Sequence, residues 1–299
     1  MKNFQDFFDQ ASIVAPRRDA RPFINEKDET CPFCLVNKGC LERILDESWQ
    51  EDELLARIVP NRYPATSKEE TKGKHDVIID TAHHTLHPKD FTVAHWEEIL
   101  MMIQKRWNVL MQEPEIKLIQ VFKNYGTSAG ASISHSHWQI IALQEIPNSM
   151  KSKYKAYNHM GECYLCQELH NEEGFLIGED SFWEIWVPPA PEYPYEVWCI
   201  PKNHYQHYGE LSIREIKKLG QFMKYLLEVY HQINPNYAFN ICMMSGDVRR
   251  QYPYHFYVKL VMRVGHIAGF EIATGCHILS IAPETYANKM KKMLKGMYK

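Results

Sequence analysis

Gly126-Thr-Ser-Ala-Gly-Ala-Ser-Ile-Ser-His-Ser-His-Trp-Gln139 is the stretch on which the fold and chemistry of this 299-residue chain turn. Its first half is small and glycine-bearing, suited to a loop whose backbone a phosphate can approach. Its second half, running on through Ile140-Ile-Ala-Leu143, predicts a β-strand. Side chains alternate faces along a strand, so His135, His137 and Gln139 share one face and Ser136, Trp138 and Ile140 the other. Three polar groups in a row on one strand face make an unusual core surface. With a glycine loop leading into them, they mark a candidate site.

Outward from this stretch the chain repeats itself. Cys31-Pro-Phe-Cys34, His84, a helical stretch and His135 are followed in the same order by Cys163-Tyr-Leu-Cys166, His204, a helical stretch and His255. His84 to His204 and His135 to His255 are both steps of 120 residues, and so is the step between the candidate helix caps Thr92 and Ser212. Trp96, Ile99, Leu100, Ile103, Trp107 and Leu110 fall at helical spacing. In the second unit Ser212-x-x-Glu215 is a capping box, Ile216, Leu219, Met223 and Leu226 form the stripe, and Asn234-Pro235 ends it. Strands are expected at 55–59, 77–79, 118–123 and 139–143, and again at 183–187, 197–200, 239–243 and 256–262. The fold class is therefore α+β, a mostly antiparallel sheet with a helix packed on each half. The halves are expected at 1–150 and 151–299, joined by the polar, lysine-rich segment 147–158. Residues 188–194 hold four prolines and predict a stiff extended loop. The basic tail 289–299 reads as a solvated final helix.

Composition excludes several classes. Apolar content is 45%, charged content 24% and net charge −3, which is an ordinary globular balance without the basic surplus of a general nucleic-acid binder. No apolar run is long enough to cross a membrane, and the N-terminal residues do not form a signal peptide, so a cytoplasmic location is expected. In that setting two C-x-x-C pairs favour metal over disulfide. Zinc takes four N/S ligands in a tetrahedron, and each pair supplies two from one turn. His84 and His135 can complete the first set, with His83 as an alternative to His84; His204 and His255 can complete the second. Two structural zinc ions per chain are expected. The long gaps between cysteines and histidines do not suit a DNA-binding finger.

Asn124-x-Gly126, the small residues up to Ser132 and His135-Ser-His137-x-Gln139 resemble the active-site signature of galactose-1-phosphate uridylyltransferases, members of the histidine-triad superfamily of nucleotide transferases and hydrolases. That family usually has proline where Ser136 stands and often a small residue where Trp138 stands. The resemblance covers nearly the whole chain, including Gly269-Phe-Glu-Ile-Ala-Thr-Gly275. It implies two fused histidine-triad-like halves and supports ligand roles for the cysteines and histidines already singled out.

The resemblance also implies a chemistry. A histidine attacks an α-phosphorus when one ring nitrogen is free and the other is held, and His137 is the candidate. The product would be a nucleotidyl-histidine, and a second phosphate would then take the nucleotide. By the same resemblance Gln139 donates to a phosphate oxygen, and Arg18 and Arg21 match paired arginines near the phosphates. Asn61 matches a nucleoside-binding segment, Asn124 and Ser132 flank the phosphate loop, and Glu271 matches an acid that holds hexose hydroxyls. Repeat two has Tyr257 and Lys259 at the positions of His137 and Gln139, so it should not be a catalyst. The substrates implied are a nucleotide sugar and a sugar phosphate, and related enzymes are homodimers. An ADP-sugar or dinucleoside polyphosphate phosphorylase or hydrolase shares these residues and differs in acceptor. A non-catalytic zinc-stabilised nucleotide-sugar sensor is the reading from another class.

Overall fold

The structure, a computed structural model, describes residues 3–5, 11–20, 31–34, 43–66, 73–152, 154, 163–167, 175–251, 254–265 and 267–297. Apart from a small hairpin of β1 (Asn3–Gln5) and β2 (Ala11–Ile13), the strands form one sheet. In chain order these are β3 (Asp46–Gln50), β4 (Glu53–Pro60), β5 (Gly73–Ile79), β6 (Leu118–Tyr125) and β7 (His137–Leu143), then β8 (Leu176–Glu179), β9 (Trp183–Trp186), β10 (Val197–Pro201), β11 (Phe239–Met244) and β12 (Tyr257–Met262). Their order across the sheet is β3-β4-β5-β7-β6-β11-β12-β10-β9-β8, with each neighbouring pair antiparallel. Read from either edge the order is the same, and the halves of the sequence repeat meet where β6 pairs with β11. The register repeats too: Phe122 lies opposite Gln139, and Cys242 opposite Lys259, again 120 residues on.

All eight strands expected from the sequence are present. The edge strands β3 and β8 were not expected, since neither has a clear apolar alternation. Each is an edge whose pairing slips at a register shift.

Helix α1 (Val93–Met111) is capped by Thr92, whose hydroxyl accepts from the His95 N–H at 3.1 Å, and its expected apolar stripe is buried. A short turn of helix, α2, spans Tyr164–Gln167. Helix α3 (Ile213–Ile233) starts on the Ser212/Glu215 capping box and stops at Asn234, because Pro235 cannot continue it. α1 and α3 pack together against one face of the sheet, and this helix layer and the inner sheet face make the main core. Trp138 points into that core, edge-on to Trp96 with ring centres 6.3 Å apart. A bulky residue is accommodated there because α1 offers an aromatic partner.

Helix α4 (Gly269–Thr274) is exposed. Helix α5 (Pro283–Lys295) corrects one expectation: the basic tail is not simply a solvated helix. Tyr286, Ala287, Met290 and Leu294 form a buried stripe, and the lysines lie on the outer face. Among the described residues no helix is long and apolar enough to cross a membrane.

Candidate active site

The loop before β7 is shaped by two glycines. Gly126 and Gly130 have φ of 84° and 83°, a region that disfavours side chains, and a Cβ on Gly126 would come within 2.7 Å of the Ala238 Cβ. The turn between them closes on itself: the N–H groups of Ala129 and Ala131 donate to the Gly126 carbonyl, and that of Gly130 to the Thr127 carbonyl. Three of the loop's N–H groups are thus engaged internally, which narrows the expectation that this backbone would cradle a phosphate. Asn240 on β11 fastens the loop, donating from Nδ2 to the Ala129 carbonyl at 2.9 Å and to Asn124 Oδ1 at 2.8 Å. Asn240 belongs to the second repeat and gave no sign of this role in the sequence.

His135 and Ser136 precede the strand and His137 is its first residue, so the regular strand starts later than the alternation suggested. The facing holds. The rings of His135 and His137 both meet Phe33, at centroid distances of 6.1 and 5.1 Å, while Ser136 and Trp138 face the other way. Phe33 comes from the C-x-x-C turn, a contact sequence reasoning missed. With Val59, Val77 and Ile79 it forms an apolar bed beside His137.

His137 Nδ1 lies 2.8 Å from the carbonyl oxygen of His135, so Nδ1 carries the proton and donates it. Nε2 is left with a lone pair and, among the described residues, no hydrogen-bond partner. The ring is 6% exposed, and burial pushes its pKa down to about 4 against the opposing pull of the His135 carbonyl. It is therefore neutral at pH 7, the form that attacks.

Beneath the strand lies a buried cluster. Lys123 Nζ donates to Asp80 Oδ2 and Ser136 Oγ, both at 2.6 Å, and sits 5.6 Å from the Trp138 ring centre. Burial lowers the Lys123 pKa and Asp80 opposes that shift. Ser136, where the resembled family has proline, is here an acceptor for a buried ammonium.

Two Cys/His groups assemble as expected: Cys31, Cys34, His84 and His135, and Cys163, Cys166, His204 and His255. The ligand atoms within each group all lie within 4.8 Å of one another. Cys34 Sγ is 3.3 Å from His84 Nδ1 and 3.6 Å from His135 Nδ1, and Cys166 Sγ is 3.3 Å from both His204 Nδ1 and His255 Nδ1. Edges of roughly 3.3–3.8 Å are what a zinc tetrahedron with Zn–N near 2.0 Å and Zn–S near 2.3 Å requires. The tautomers fit as well. His135 Nε2 donates to the Thr81 carbonyl and His255 Nε2 to the Pro201 carbonyl, each at 2.9 Å and again 120 residues apart. His84 Nε2 meets Ser134 Oγ at 3.2 Å. The two carbonyl contacts leave Nδ1 of His135 and His255 bare for a metal, and a hydroxyl, which can accept as well as donate, allows the same at His84. His83 is excluded as a substitute for His84: it is exposed and pairs with Glu53.

The other candidates divide. Arg18, on a 3-10 turn at Pro16–Ala20, donates to the Tyr63 carbonyl at 3.2 Å. Asn61 Oδ1 accepts from the Tyr63 N–H, and His75 stands between Asn61 and Gln139. Arg18, Asn61 and Gln139 are thus brought into one chain of contacts. Asn124 is held by Asn240, and Ser132 lies half-buried in the loop. Arg21 lies outside the described residues. Glu271 is partly exposed on α4, where its carboxylate accepts from the Ala268 N–H, and lines a different pocket with Tyr193, Val264 and His277. In the second repeat Lys259 pairs with Glu192 at 3.0 Å and Glu196 at 3.1 Å, and Tyr257 packs on Trp198. Burial acts to lower the Lys259 pKa, but Glu196 and Glu192 outweigh it.

The sheet carries a buried, carbonyl-anchored histidine next to one Cys/His group, and a second such group follows with its histidines 120 residues on; comparison with known proteins gives the class, that of the nucleotidyltransferases. ADP-glucose phosphorylase of Arabidopsis thaliana is 33% identical over 94% of this chain and 89% of its own length. Galactose-1-phosphate uridylyltransferase of Thermotoga maritima is 26% identical over 95% of each. The crystal structure of an ADP-glucose phosphorylase from Arabidopsis thaliana with bound ADP-glucose superposes with a TM-score of 0.80 at 31% identity, covering 97% of this chain and 98% of that one. Residues 15–146 match the N-terminal domain of a family described as a domain of unknown function, DUF4931. The chain belongs to the family of enzymes that includes galactose-1-phosphate uridylyltransferase and ADP-glucose phosphorylase.

Proposed function

We propose that this chain transfers a nucleoside monophosphate from a nucleoside-diphosphate hexose to a second phosphate through a covalent intermediate on His137. Nε2 bonds to the α-phosphorus, the bond from that phosphorus to the bridging oxygen breaks, and hexose 1-phosphate leaves. An oxygen of the acceptor phosphate then attacks the same phosphorus and releases His137 neutral. The observation that carries this is the anchored ring: Nδ1 is committed to the His135 carbonyl and Nε2 is open. Gln139 would donate to the α-phosphate, with Arg18 and Arg21 near the phosphates. Asn61 would hold the nucleoside, and Asn124 and Ser132 would border the loop.

We assign catalysis to residues 1–150 and a zinc-binding, non-catalytic role to 151–299, where Lys259 is bound by two carboxylates and Tyr257 replaces the nucleophile. Zinc is the metal the two donor sets suit, and it would hold the Cys31 turn, the His84 segment and the start of β7 together. Glu271, whose pocket does not include His137, fits a homodimer in which it reaches a neighbour's sugar; sedimentation should find that dimer. A cytoplasmic location fits the cysteine usage.

The acceptor divides two readings. The family's uridylyltransferases suggest a hexose 1-phosphate. The relative at 33% identity is named a phosphorylase, which favours inorganic phosphate. The deciding experiment incubates the protein with ADP-glucose or UDP-glucose labelled at the α-phosphate and counts label on the acid-free denatured chain. The adduct is then chased with inorganic phosphate or galactose 1-phosphate. If neither nucleotide sugar labels the protein, the transfer reading fails and a nucleotide-sugar sensor takes its place.

A further inference from the structure

Asn240 on β11 and Asn124 on β6 lie directly opposite each other where the two repeats meet. Asn240 Nδ2 is 2.9 Å from the Ala129 carbonyl oxygen. A backbone carbonyl only accepts, so the end of Asn240 that faces it is the NH2 group. The same NH2 group lies 2.8 Å from the Asn124 amide, and its second hydrogen requires an acceptor there. The atom that Asn124 turns toward β11 is therefore Oδ1. The two ends of an amide point apart, so the Asn124 NH2 group lies on the side of β7.

His137 stands on that side. Across β6 and β7, Phe122 pairs with Gln139 and Lys123 with Trp138. Lys123 and Trp138 are fully buried on the core face. Asn124, one residue on from Lys123, shares the opposite face with His137, one residue back from Trp138. The row across this face of the sheet is thus Asn240, Asn124, His137.

We propose that Asn240 is a positioning residue that sets the Asn124 amide with its donor toward a phosphate held on His137. The inference rests on the reading that His137 accepts the nucleotide, and it gives the second repeat a share in that chemistry besides binding metal. A primary amide has nearly the same shape in both orientations. Turned round, Asn124 would set a carbonyl oxygen against a phosphate oxygen, a repulsion in place of a hydrogen bond. Asn240 removes that choice from Asn124, and the Ala129 carbonyl removes it from Asn240. The direction passes from the backbone of the glycine turn to one amide and then to the next.

Two measurements on the full-length protein decide it. Neutron diffraction from deuterated crystals locates the amide hydrogens. Those of Asn240 should point at the Ala129 carbonyl and at Asn124, and those of Asn124 toward His137. Asn124 deuterons aimed at Asn240 overturn the proposal whatever the activity. The second measurement is rapid-quench labelling with ADP-glucose or UDP-glucose. Asn240→Asp keeps the shape but only accepts, so it draws the Asn124 NH2 group round toward β11. It should slow adduct formation about a hundredfold, as losing one donor does. Asn124→Ala should slow it by about as much, and Asn240→Asp should add almost nothing in that background, because Asn240 acts through the Asn124 amide. An equal loss from Asn240→Asp in both backgrounds would mean that Asn240 merely supports the turn, and would overturn the proposal. Should Asn240→Asp fail to fold, the neutron map and Asn240→Ala in the two backgrounds still decide. Should the wild type take no label, the transfer reading fails on its own, and the neutron map alone decides the direction of the amide.

Discussion

His137 Nδ1 sits 2.8 Å from the carbonyl oxygen of His135, and this contact joins the proposed nucleophile to the first Cys/His group. His135 turns its own Nδ1 toward Cys31 and Cys34, gives its Nε2 proton to Thr81, and offers its carbonyl to His137. One residue thus belongs to the Cys/His group and orients the His137 ring.

The two histidines should separate cleanly. His137→Ala should abolish the covalent nucleotidyl adduct and leave the fold and zinc content unchanged. His135→Ala should reduce both. Gln139→Ala should still label, at a rate about a hundredfold lower, the cost typical of losing one transition-state donor. The adduct should be acid-labile and base-stable, as a phosphoramidate is. Labelling of denatured chains, with metal analysis of the same samples, checks all four outcomes.

Metal analysis should find about two zinc ions per chain. Ser134→Ala removes the partner of His84 Nε2. It should weaken zinc at the Cys31 group about tenfold while sparing the Cys163 group. Competition with a chromophoric chelator resolves the two sites, and equal weakening of both would refute the assignment. Cys31→Ser should lower the thermal midpoint, since structural metal binding adds to folding free energy.

Ser136→Pro would restore the residue usual in the resembled family, and it should nevertheless destabilise this chain. It deletes an acceptor of the fully buried Lys123 ammonium and should cost about 1–3 kcal/mol. Lys123→Ala, which leaves Asp80 buried without its partner, should cost about 3–5 kcal/mol. Denaturant unfolding of the two variants gives the comparison. A neutral Ser136→Pro would mean the lysine needs only Asp80.

Gly126→Ala places a methyl group 2.7 Å from Ala238 at a φ of 84°. It should destabilise by about 1–2 kcal/mol and slow adduct formation, because the turn leads directly into His135 and His137. Thermal unfolding and the labelling rate report the two effects separately, and a variant with wild-type values for both would overturn the strained turn's role.

Much of this was legible in the sequence because it rests on local periodicity and fixed offsets. The stripes of α1 and α3, the Thr92 and Ser212 caps and the strands between them follow from side-chain spacing. The ligand sets followed from one order of Cys and His met twice, 120 residues apart. What escaped was what depends on atoms brought together from far along the chain. The edge strands β3 and β8 lack alternation and exist because a neighbour offers hydrogen bonds. The stripe of α5 was hidden among lysines.

The sequence alone determined the fold class, the repeat, the eight Cys and His side chains that gather in two groups, and His137 as the residue whose counterpart is Tyr257. Each is a matter of residue type at a spacing, and regular backbone geometry turns spacing into facing. Only the tertiary structure decided which atom of each group does what. The His135 carbonyl commits Nδ1 of His137, and Asn240 reaches from the second repeat to hold the glycine turn. Hydrogen bonds depend on tenths of an ångström and on the direction of one proton, and those are set only when distant segments have packed.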